Sequence, residues 1–198
     1  MNKLILSLVL LCPFMLCACA SVPTNEGERH ALVSESDRAM ESMLLRDPSL
    51  KERIDHAFAY AIFPGVGKGA FVVGGAFGRG IVVEKGKLSG YASMSRGSVG
   101  GQVGGRSFSQ LVVFQTAAAL SDFKSGKIAF GAEATAVALD EGVSANTRYH
   151  NGLAVFALPR AGLMADASLS GQSFTFQPAA IKPTPVLDDR YTAISVEP

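Results

Sequence analysis

Tryptophan is absent from the 198-residue chain, and its three cysteines, Cys12, Cys17 and Cys19, all lie within the first nineteen positions. No disulfide can brace a fold built from the remainder, so stability has to come from a hydrophobic core, which a chain of this length can supply. Histidine is scarce as well: His30, His56 and His150 stand far apart, with no second ligand at helical or hairpin spacing, and no metal or cofactor site is legible. Neither sign of charge predominates, since the 18 Lys and Arg face 17 Asp and Glu, and without Lys3 the two balance. Nucleic acid is therefore not an expected partner. Long apolar runs are missing apart from residues 4–16, which are interrupted by Ser7, Cys12 and Pro13. That run is shorter than the roughly 20 apolar residues a spanning helix needs.

What stands at the amino end is a signal-peptide layout: Lys3, then the apolar run, then small residues, with no acidic residue in positions 1–18. Leu16-Cys17-Ala18-Cys19 resembles the lipobox of bacterial lipoproteins, with a leucine three positions before the acceptor thiol and a small residue just before it. The resemblance implies cleavage before Cys19 and acylation of that cysteine, palmitate included. Two lipid chains already hold a protein stably at about 0.8 kcal/mol per buried methylene, and three would hold it essentially irreversibly. Ala20 follows the cysteine where an aspartate would resemble an inner-membrane retention signal, so the expected address is the periplasmic leaflet of the outer membrane.

Four segments are expected behind this reading: a signal peptide over 1–18, a lipidated tether over 19–28, one domain over 29–177 and an extended, proline-containing tail over 178–198. Within 29–46, Leu32, Val33, Met40, Met43 and Leu44 recur at helical spacing and predict an amphipathic helix whose stripe packs on a sheet, or else lies in a headgroup layer. Asp47-Pro48 reads as the cap and first turn of a second helix running to about position 59. From Phe63-Pro64-Gly65 onward, short apolar runs alternate with glycines and predict strands, with a hairpin turn at Glu84-Lys85-Gly86-Lys87. A strand over 108–115 is expected to be buried on both faces; Thr116 then caps a short helix over 117–124, and Gly126 stops it. Alternating residues over 128–139, a hairpin pair over 153–158 and 162–169, and a last strand over 173–176 complete the pattern. The fold class expected is α+β, with a curved, mostly antiparallel, barrel-like sheet, two N-terminal helices and a short internal helix.

Catalytic signatures are not found. Gly65-Val66-Gly67-Lys68-Gly69 lacks the spacing and the following Ser or Thr of a phosphate loop, no Gly-x-Ser-x-Gly elbow is present, and no nucleophile is paired with a base. The expectation is a protein that is not an enzyme. Glycines at intervals inside strands instead mark bulges, sharp corners and close backbone approach.

Positions 59–176 resemble the SYLF domains, described as lipid-binding or actin-regulator domains. The resemblance rests on Ala61-Ile62-Phe63-Pro64, Lys68-Gly69, Gly74-Gly75, Gly78-Arg79-Gly80, Gly100-Gly101-Gln102-Val103-Gly104-Gly105, Leu111-Val112-Val113-Phe114 and the late Arg160-Ala161-Gly162-Leu163 and Ala167-Ser168-Leu169-Ser170-Gly171. It implies a compact domain that binds phospholipid or phosphoinositide headgroups. Lys68, Arg79, Arg96, Arg106 and Arg160, the basic residues in or beside the glycine-rich strands, are the candidate headgroup ligands. Two functional classes follow: recognition of membrane phospholipid or a hydrophobic ligand at the membrane surface, and an adaptor lipoprotein that binds another envelope protein or itself.

Overall fold

The computed structural model describes residues 22–71, 73–99, 106–127, 137–161 and 172–179. Two helices come first, α1 (Glu26–Arg46) and α2 (Leu50–Asp55). Strands β1 (Ala59–Phe71), β2 (Val73–Glu84), β3 (Lys87–Val99) and β4 (Arg106–Phe114) follow, then α3 (Ala117–Lys124), β5 (Val137–Ala138), α4 (Val143–Asn146), β6 (Leu153–Ala161) and β7 (Gln172–Pro178). The seven strands form one sheet in the order β5-β6-β4-β1-β2-β3-β7, antiparallel throughout except for the short parallel pairing of β5 with β6. The class is α+β. The sheet is not closed into a barrel, because β5 and β7 stand at opposite edges of the strand order.

Period-two alternation sorts the strand residues into two apolar layers. One face carries Phe63, Val66, Met94, Val112, Phe114, Val155 and Phe174 and is covered by Leu120 and Phe123 of α3. The other carries Tyr60, Ile62, Ile81, Val83, Leu111, Val113 and Phe156 and is covered by Leu32, Ala39, Met40 and Met43 of α1. The α1 stripe thus packs on the sheet, which decides between the two placements open to that helix. β4 is buried on both faces, Phe108 through Phe114, as its continuous hydrophobicity predicts.

A proline in a central strand needs an explanation, since it removes a ladder donor. β1 lies between β4 and β2, and both pairings shift register around Pro64-Gly65. The bulge leaves Phe63 and Val66, three residues apart, in the same apolar layer. The Pro64 carbonyl, displaced from the ladder, accepts a hydrogen bond from the buried Ser109 hydroxyl at 2.7 Å.

Local signals set the ends of the elements. Asn25 caps α1 by accepting from the Glu28 amide at 2.8 Å, while Glu28 reaches back to the Thr24 amide, in the manner of a capping box. The helix therefore starts three residues earlier than its apolar spacing indicates, and the expected tether shortens accordingly. Thr116 caps α3 as expected, and Gly126 adopts φ +69° behind it. Lys85 and Gly86, at φ +51° and +73°, make the two-residue turn between β2 and β3.

The expectation for α2 needs correcting: it is six residues long and ends at Asp55, and the chain turns through His56 and Ala57 into β1 at Ala59. Asp47 does not cap it in the expected way either. Its buried carboxylate accepts from the Ser49 amide and hydroxyl and from the Gly142 and Ser144 amides, which ties α2 to the start of α4. The predicted strand residues 128–136 and 162–169, the glycine cluster 100–105, the signal segment with Cys19 and the tail from 180 lie outside the described residues.

Candidate headgroup-binding site

Antiparallel register decides which of the five candidate cations meet. Lys68 of β1 pairs with Arg106 of β4 on one side and with Ala76 of β2 on the other. Ala76 pairs in turn with Arg96 of β3, and Arg96 with Gln172 of β7. Arg106, Lys68, Ala76, Arg96 and Gln172 therefore form one row across five neighbouring strands, holding three basic residues and no acidic one.

The other two candidates are placed elsewhere. Arg79 is exposed three residues along β2 from that row, and its guanidinium lies 3.4 Å from the Glu28 carboxylate of α1. Arg160 falls in β6 at the register shift between Ser107 and Phe108, next to the Ala161–Ser107 pair. Strand pairing thus puts Lys68, Arg96 and Arg106 in one row, with Arg79 three residues along β2 and Arg160 outside the row on the strand beside Arg106.

A charge asymmetry along the chain accompanies this geometry. Between positions 56 and 121 the sequence has six basic residues, Lys68, Arg79, Lys85, Lys87, Arg96 and Arg106, against Glu84 alone. The overall balance of charge hides this excess, because the acidic residues concentrate in the N-terminal helices and after position 121. A window-by-window count would have found it. Even the one acidic residue is engaged: Glu84 accepts from Lys124 Nζ at 2.8 Å, and that contact together with the Ser89 hydroxyl holds its carboxyl below the usual range despite partial burial.

The end of the sheet bearing the basic row is built from glycine and small residues. Gly67, Phe77, Ser95, Ser107 and Ser173 form the adjacent row in consistent register. Among them Phe77 is 50% exposed, one of two large hydrophobic residues so exposed among those described. No group of three or more His, Cys, Asp or Glu side chains converges among the described residues.

Residues 95–182 match the sequence model of the Ysc84 family, described as Las17-binding protein actin regulator. This part of the chain is therefore similar to that family, in line with the SYLF resemblance of its motifs. The match covers β4 to β7 and the end of β3, which is the later part of the segment that resembles the family by its motifs. The chain is also 26% identical over 153 residues to Beta cell expansion factor A of Aeromonas veronii, an alignment covering 76% of this chain and 58% of that protein. It thus spans under two thirds of that relative's length. The printed description of the matched family is of a binding and regulatory protein.

Proposed function

We propose that the chain is a lipoprotein, acylated at Cys19 and held at the periplasmic leaflet of the outer membrane, whose SYLF domain binds anionic phospholipid headgroups. The observation that carries this reading is the Arg106–Lys68–Arg96 row, three cations at one register level with no carboxylate in the row. Guanidinium and ammonium groups are suited to phosphate, Arg by paired donors and Lys as a point charge. Attraction to an anionic surface adds about 1 kcal/mol per basic residue close to it, so three together suffice for measurable adsorption. Binding is the whole of the activity proposed, with no catalytic step.

The test is co-sedimentation of the mature chain, residues 19–198 with Cys19→Ser, with vesicles of phosphatidylglycerol and phosphatidylethanolamine. Binding is expected to weaken as salt is raised and to drop at least tenfold when Lys68, Arg96 and Arg106 are replaced together by Gln. Equal sedimentation of the triple variant would remove the row from the mechanism. If no vesicle binds and crosslinking in intact cells captures a single envelope protein, the adaptor reading takes its place, consistent with a family description that names protein binding. Mass spectrometry of the native protein checks the anchor through an acylated Cys19 at the amino terminus.

A further inference from the structure

We propose that Lys68, Arg96 and Arg106 form a single anion site on the concave face of the sheet, which takes one phosphomonoester group per chain. This deepens the headgroup reading and rests on it, replacing adsorption along a surface by capture of one group.

Strand parity assigns the row to a face. Lys68 lies two residues beyond Val66, Arg96 two beyond Met94 and Arg106 two before Phe108, and Val66, Met94 and Phe108 all belong to the apolar layer that α3 covers. Arg79 alternates with that layer and belongs to the α1 face, as Ile81 and Val83 of the same strand do. The α3 face is the concave one. Phe174 of β7 lies 5.8 Å from Phe63 of β1 across the two strands between them, and Gln172 of β7 bonds to Gln110 of β4 across three. Arg106 and Arg96 therefore stand on facing walls of a trough, with Lys68 and Ala76 on the strands of its floor. On a convex face such a row would fan apart, whereas concave curvature draws its members together.

The neighbouring rows show what the site borders. On the core side come Phe108, Val66, Gly78, Met94 and Phe174, all buried. On the other side come Ala70, Gly74 and Ser98, none of them a bulky residue type. The cationic row thus lies at the boundary of the core, where a low-dielectric interior strengthens electrostatic interactions. Arg106 is directly opposite Lys68, a like-charge cross-strand pair of the kind that destabilises a sheet. No carboxylate in the strands offsets it: β1, β3, β4, β6 and β7 contain no Asp or Glu, and Glu84 stands at the far end of β2, joined to Lys124. An anion held among the three cations relieves that repulsion, so the fold itself favours occupancy. A phosphomonoester matches the site better than a phosphodiester, because near neutral pH it carries about 1.5 to 2 negative charges and a third free oxygen.

The experiment uses the mature chain with Cys19→Ser and two probes, glycerol 3-phosphate in solution and vesicles of phosphatidic acid in phosphatidylcholine. Calorimetric titration with glycerol 3-phosphate should saturate at one per chain, and the ester should raise the melting temperature where chloride of equal ionic strength does not. Lys68→Gln and Arg106→Gln should each weaken that binding about tenfold. Each should also raise the melting temperature of the empty protein by removing the like-charge pair, an effect that damage to the fold would not produce. Arg79→Gln, on the opposite face, should bind the ester like the parent. Displacement of the protein from the vesicles by glycerol 3-phosphate makes a lipid headgroup the source of the group. Saturable binding of the ester without vesicle binding supports the site, makes a free phosphate ester its ligand and removes the headgroup reading. Vesicle binding with no saturable uptake of the ester, or with Arg79→Gln as damaging as Lys68→Gln, overturns the site and leaves headgroup adsorption standing. Failure of the parent chain to bind either probe defeats both.

Discussion

Gln110 and Gln172 face one another through reciprocal amide hydrogen bonds of 3.3 and 3.5 Å, although their strands, β4 and β7, are separated in the sheet by β1, β2 and β3. Four strand spacings of about 4.8 Å would hold them some 19 Å apart in a flat sheet, so their contact measures how far the sheet curls. The aromatic rings follow the same curl: Phe174 of β7 lies 5.8 Å from Phe63 of β1 and 4.9 Å from Phe123 of α3, which in turn lies 5.0 Å from Phe114 of β4. α3 bridges the two sides of the trough.

Both glutamines are buried, so truncating one strands the amide of the other. Gln110→Ala or Gln172→Ala should each cost about 1–3 kcal/mol in urea denaturation, whereas Gln110→Leu with Gln172→Leu should fall well short of the sum, because the double change leaves no unmet polar group. Additive losses would mean the pair does not act as a unit.

Phe123 is fully buried at the centre of that ring cluster. Phe123→Ala should destabilise by about 3–5 kcal/mol, with a lowered melting temperature as the readout. A loss under about 1 kcal/mol would show that α3 is not what fills the trough.

Glycine at position 80 is dictated by packing. A Cβ there would sit 2.3 Å from the Ile62 carbonyl oxygen and 2.7 Å from the Phe63 ring, and the backbone atom has no room to yield. Gly80→Ala should cost about 1–3 kcal/mol. Gly67→Ala, where a Cβ meets open space, should instead be neutral or stabilising by up to about 1 kcal/mol. Thermal melts of the two variants should move in opposite directions or differ sharply.

For Asp47, burial raises the pKa, but the donors from Ser49, Ser144 and Gly142 together outweigh burial and hold the carboxyl below its usual range. A carboxyl with a folded pKa below its unfolded one contributes stability above the unfolded value, near pH 4, and loses that contribution as pH falls through the folded value. Asp47→Ala should therefore be destabilised by about 2–3 kcal/mol at pH 7 relative to the parent chain, with the gap narrowing below about pH 4. A gap that is constant from pH 7 to pH 3 would rule out the charged carboxylate as its source.

Legibility in the sequence followed the range of the interaction. The β2–β3 turn, the Thr116 cap, the Gly126 stop and the double burial of β4 were all readable, because each depends on residues a few positions apart. The end of α2 was not. Leu50, Ile54 and Phe58 keep a helical spacing past Asp55, but β4 offers the Phe114 carbonyl to the Phe58 amide, and a long-range ladder overrides a local preference. Asp47 misled for a related reason: its cap-like context is real, yet two of its four donors come from Gly142 and Ser144, about 95 residues away.

By itself, the sequence determined most of the described strands, the Thr116 cap, the double burial of β4, the SYLF family likeness and the set of basic candidates, since these are written in spacing and residue type. Tertiary structure alone decided which candidates share a row, bringing Lys68, Arg96 and Arg106 to one, leaving Arg79 and Arg160 outside it, and setting the start of α1 beside Arg79. The reason is that strand register and sheet curl are cooperative outcomes of bulges and packing distributed over the whole chain. A shift of one residue at the Pro64-Gly65 bulge would change every pairing beyond it.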